Sequence, residues 1–72
     1  MNNKEFILKS YRRDIAEMQK TVDANKEQMQ RHIAGAEYEH DYVRIAAYAQ
    51  ESKELLAKIK LLSELIRDIE QI

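Results

Sequence analysis

The side chains best suited to chemistry gather at Glu37, Glu39, His40 and Asp41, with His32 a short distance upstream. Carboxylate and imidazole together suit a divalent transition metal. Their spacing does not: neighbouring helical residues point about 100° apart, and no His-Glu-x-x-His pair sets two imidazoles on one face. The expectation is a charged turn, with no metal and no cofactor. Nucleophilic chemistry is no better supplied. Cysteine is absent, the single glycine leaves no phosphate-cradling loop, and Ser10, Ser52 and Ser63 fall within helical pattern with no triad-like grouping. No catalytic residue is assigned, and the chain reads as non-enzymatic.

Two other groupings concern binding. Lys9, Arg13, Lys20 and Arg31 fall within about 40° of one another on a helix, with Arg12 at their edge and Glu17 and Glu27 interrupting them. They form either an ordinary solvated face or a phosphate-binding stripe for nucleic acid. Tyr38, Tyr42 and Tyr48 stand among Ile45, Ala46 and Ala49. Tyrosines spaced in this way either fill wide core layers beside alanines or anchor a partner, since the ring offers rigid area with one polar end.

The elements that must position these groups follow from apolar spacing. Leu8, Tyr11, Ile15, Met18, Val22, Asn25, Met29 and His32 recur in alternating steps of three and four, a heptad seam. Downstream the beat is Tyr38, Asp41, Ile45, Tyr48, Ser52, Leu55, Ile59, Leu62, Ile66 and Ile69. Continuing the first seam would instead enlist Glu39, Gln50, Lys53 and Lys60, which could not bury. The two seams are out of phase by two residues, about 200° of helix rotation. Coiled-coil discontinuities insert three or four residues, so a continuous rod is not expected. Gly35 lies at the break and suits the left-handed residue that ends a helix. The pattern therefore predicts an all-α fold: an antiparallel, coiled-coil-like hairpin forming one domain over 1–72, with helices at 3–33 and 37–71 and a turn at 34–37. Asn2 and Glu5 form a candidate capping box. Folding at Gly35 sets residue i against 71 − i, pairing Ile15 with Leu56, Val22 with Ala49 and Met29 with Tyr42.

Composition limits the rest. A chain of 72 residues builds at most a marginal core and usually needs a staple or a partner. With no cysteine available, the expected staple is self-association. Leu55, Ile59, Leu62 and Ile66 line one edge of a stripe, and Leu61, Leu65, Ile69 and Ile72 line the other. Together they span roughly 160°, wider than the ~100° face that one partner helix covers. These eight residues are the expected oligomer interface, pairing two hairpins into a four-helix bundle. Asn25 within a seam is a candidate register-fixing polar residue. Net charge is −1, which gives no global pull toward nucleic acid or membrane. No stretch approaches the ~20 apolar residues of a membrane span, and Phe6-Ile7-Leu8 is too short for a secretory core. The expected compartment is the cytoplasm.

In architecture alone, the design resembles the Rop family of plasmid RNA-binding hairpins. It shares no motif with that family, and nothing about function follows from the resemblance. The functional expectation is a small protein–protein interaction module, an adaptor, inhibitor or regulator of a larger protein, of the kind common among viral and mobile-element products. The polar, aromatic loop end carries its expected partner surface: Met29, Arg31, Glu37, Tyr38, Glu39, Asp41, Tyr42 and Tyr48. The alternatives are a nucleic-acid-binding dimer using Lys9, Arg12, Arg13, Lys20 and Arg31, and a purely structural coiled-coil segment.

Overall fold

In a computed structural model the chain is a hairpin of two helices, described over residues 3–35 and 39–72, the side chains of Glu39 and His40 excepted. Helix α1 covers Asn3–Ala34 and helix α2 covers Glu39–Glu70. The candidate cap Asn2, and Ala36, Glu37 and Tyr38 of the connection, lie outside the described residues. No proline interrupts either helix. Side chains one turn apart brace them: Arg31 to Glu27 at 2.7 Å, Gln19 to Asp23 at 3.0 Å and Gln50 to Glu54 at 3.2 Å. Glu5 in the first turn of α1 and Arg31 and His32 in its last turn complement the helix dipole.

The helices pack antiparallel into a rod of 55 × 16 × 13 Å. Every described member of the two seams is buried or half-buried, from Leu8 to His32 and from Asp41 to Ile69. The register differs from the expected one. Lys4 Nζ donates to Glu70 O, and His32 faces Asp41, so residue i lies level with a residue near 74 − i. The pairing is therefore shifted from the expected one by most of a helical turn. Leu8 is level with Ile66, Ile15 with Ile59, Val22 with Ser52 and Met29 with Ile45. The pairings with Leu56, Ala49 and Tyr42 do not form; those three are exposed on the flank of α2.

Gly35 also departs from expectation. It has no positive φ, and its N–H donates to Arg31 O at 3.2 Å. The helical ladder runs on to the glycine instead of ending there in a left-handed turn. A Cβ built on it would meet only that carbonyl, at 3.8 Å.

The core is thin. Among the described residues, Leu8 and Ile66, which share one layer, are the buried apolar ones, and no large side chain is fully buried. Asn25 and Ser52 are as deep, at 6% and 7% exposed. Asn25 Nδ2 donates to Glu51 Oε1 at 2.7 Å, whereas Ser52 Oγ has no hydrogen-bond partner. The middle of the rod is thus a polar layer, and the aliphatic packing lies at the open end.

Candidate interaction surfaces

At the loop end the seam carries a polar and aromatic cluster. His32 closes α1 and Asp41 opens α2, with His32 Nδ1 3.5 Å from Asp41 Oδ1 and both side chains largely covered. The His32 ring stacks on Tyr48 with centroids 5.9 Å apart and planes 24° from parallel. These contacts tie the first turn of α2 to the last turn of α1. They also commit Asp41 and Tyr48 to the inside of the hairpin, where Met29 is half-buried too. Tyr42, one position off the seam, is 59% exposed. Ile33 lies level with it on the same flank, and Val43 follows it; both are exposed. Arg31 is exposed and pairs with Glu27. Of the remaining expected partner residues, Glu37, Tyr38 and the Glu39 side chain lie outside the described residues. Among the described residues, the large apolar side chains exposed at this end are Ile33, Tyr42 and Val43. Ile33 and Val43 were missed because neither falls on a seam. Their signal was apolar side chains at off-beat positions beside the phase break.

At the open end, Leu55, Ile59, Leu62, Ile66 and Ile69 form the α2 side of the seam inside the hairpin. Leu61, Leu65 and Ile72 lie on one flank of it, with Leu61 56% exposed. The same end exposes Phe6 and Ile7 of α1, a further apolar pair that the seam spacing did not single out. A groove of about 400 Å³ opens on this flank, lined by Asp14, Glu17, Met18, Lys58, Leu61 and Leu62. Its floor is apolar, its α1 wall acidic and its α2 wall basic.

The basic stripe is partly engaged. Arg12 pairs with Glu70 at 3.5 Å, Arg13 with Asp14 at 4.0 Å and Arg31 with Glu27 at 2.7 Å, all exposed. Lys9 and Lys20 are exposed on the outer side of α1. Exposed ion pairs of this kind hold loosely, so phosphate would compete for these cations rather than find a built pocket. Among the described residues no three His, Asp or Glu side chains are grouped as metal ligands, and no helix is long and apolar enough to cross a membrane. No protein-family model, curated protein or solved structure matches the chain.

Proposed function

We propose that this chain is a non-enzymatic protein–protein interaction module of the cytoplasm: two copies join through their aliphatic ends into a four-helix bundle, and the loop end of each engages a larger protein that it adapts, inhibits or regulates. The observation that carries this reading is the unfinished core. A hairpin whose buried apolar residues are Leu8 and Ile66, while Leu56, Leu61, Leu65, Phe6 and Ile7 face outward, leaves its hydrophobic surface for another molecule to cover. Large exposed apolar areas on small proteins mark interaction sites.

The two ends suit different tasks. Aliphatic side chains in broad rows favour permanent helix–helix packing. A tyrosine flanked by Ile33 and Val43, all three exposed, has the make-up of a small hot spot. The test uses the tagged chain and its Tyr42→Ala variant as parallel baits in extract of the native cell. A partner held by the parent chain and lost by the variant, both remaining folded, supports the reading. A partner held equally by both places the contact elsewhere and overturns the assignment to the loop end.

A further inference from the structure

We infer that the second copy packs on the groove flank with both loops at the same end of the bundle, so that α1 of each protomer lies over α2 of the other. This inference rests on the self-association proposed above and adds its geometry.

Surface area supports a second copy as the occupant. A compact monomer of 8.5 kDa exposes roughly 4,700 Å² by the scaling of surface with mass. This hairpin exposes 5824 Å², an excess of about 1,100 Å². Two copies hiding that excess against each other would bury about 2,200 Å² in total, within the range of obligate homodimers. The flank with the groove is the natural site. It gathers Ile7, Leu61, Leu65 and Ile72 beside the groove floor of Met18 and Leu62.

The orientation follows from how residues are distributed on that flank. Its large apolar side chains lie in the half of the rod away from the loop, while the loop half carries Gln28, Arg31, Arg44 and Glu51 beside small alanines. A two-fold axis along the rod sets apolar half on apolar half. It also lays the α1 wall of one groove, Asp14 and Glu17, over the α2 wall of the other, where Lys58 stands. The contact is isologous and complementary in charge. A two-fold axis across the rod fails on one count or the other. With the rods fully overlapped, Leu65 falls level with Arg44 of the second copy, and Ile7 with Gln30. With the rods slid to centre on the groove, Asp14 and Glu17 meet their own counterparts, Lys58 meets Lys58, and part of each rod loses its cover.

The chain has no cysteine, so a single introduced thiol reports orientation cleanly. Ala34→Cys, at the exposed loop end of α1, is labelled with a nitroxide, and the distance between the two labels is measured by double electron–electron resonance alongside sedimentation equilibrium. With loops together, the labels sit across the width of a bundle, below about 30 Å apart. With loops at opposite ends, they are separated by most of the rod, above about 45 Å at 1.5 Å per residue. Charge reversal supplies a second measurement. Lys58→Glu should weaken the dimer at least fivefold, and adding Asp14→Lys and Glu17→Lys should restore it. A dimer with a long label distance, or one that the triple reversal fails to rescue, overturns the orientation and leaves self-association standing. A folded monomer at high micromolar concentration overturns both.

Discussion

Ser52 offers the sharpest test of the packing, because its expected effect runs against the usual direction of core substitutions. Its side chain is 7% exposed and its Oγ is buried without a partner, level with Val22 across the seam. A buried hydroxyl left unpaired costs about 1–3 kcal/mol relative to its hydrated state. Ser52→Ala removes the oxygen, keeps the Cβ and leaves a void of only one small atom. It also exchanges a mid-helix serine for the best helix former, a further gain of about 0.5 kcal/mol. The variant should therefore be more stable by roughly 1.5–3 kcal/mol. At ~4–8 °C per kcal/mol for a domain of this size, melting should rise by 6 °C or more, as followed by circular dichroism at fixed protein concentration. A loss of stability beyond about 0.5 kcal/mol would refute the reasoning, since it would mean that the hydroxyl makes a bond worth keeping. A double-mutant cycle with Asn25→Ala then asks whether the two buried polar residues act as one layer. Contact between them would appear as non-additivity above ~0.5 kcal/mol.

Further expectations follow from other positions. Gly35→Ala should stabilise the hairpin by about 0.4–1 kcal/mol, because the site has no positive φ and a Cβ meets nothing closer than 3.8 Å; a loss in urea titration would point to a left-handed glycine. Tyr42→Ala should leave the melting temperature within about 2 °C, given its exposure, while weakening partner capture by roughly 2 kcal/mol. Leu65→Asp should lower sedimenting mass and helicity together, since a charge on the groove flank opposes association and the hairpin lacks a core of its own. A helical monomer in that variant would show that the hairpin stands alone.

Much of this fold can be read from the sequence, because heptad spacing is a direct consequence of helix geometry. All eight residues of the first seam and all nine described residues of the second face inward. Even the polar members, Asn25, His32, Asp41 and Ser52, lie where the beat places them. What periodicity does not encode is where the chain turns. The beat is unchanged by sliding one helix past the other, so the pairing of Ile15 with Ile59 rather than Leu56 depends on the length of the connection. Gly35 invited an early turn, yet its amide continues the ladder. The tyrosines divide for the same reason. Tyr48 is on the beat and stacks on His32, whereas Tyr42 is one position off it and exposed. The groove was not legible at all, since its walls come from opposite helices and are set by the register.

The position of the Leu8–Ile66 layer has a consequence for how the chain comes into being. These two residues lie 58 positions apart, so the buried apolar layer brings together residues from nearly opposite ends of the chain. Contacts near the turn are quick to close but polar, and they return little for the ordering they demand. At about 5–20 residues per second, translation takes roughly 3–12 s to pass from Leu8 to Ile66. For that interval Leu8 has no layer partner to pack against. The aliphatic end of the hairpin can therefore close only after α2 is complete, whatever the stability of the finished rod.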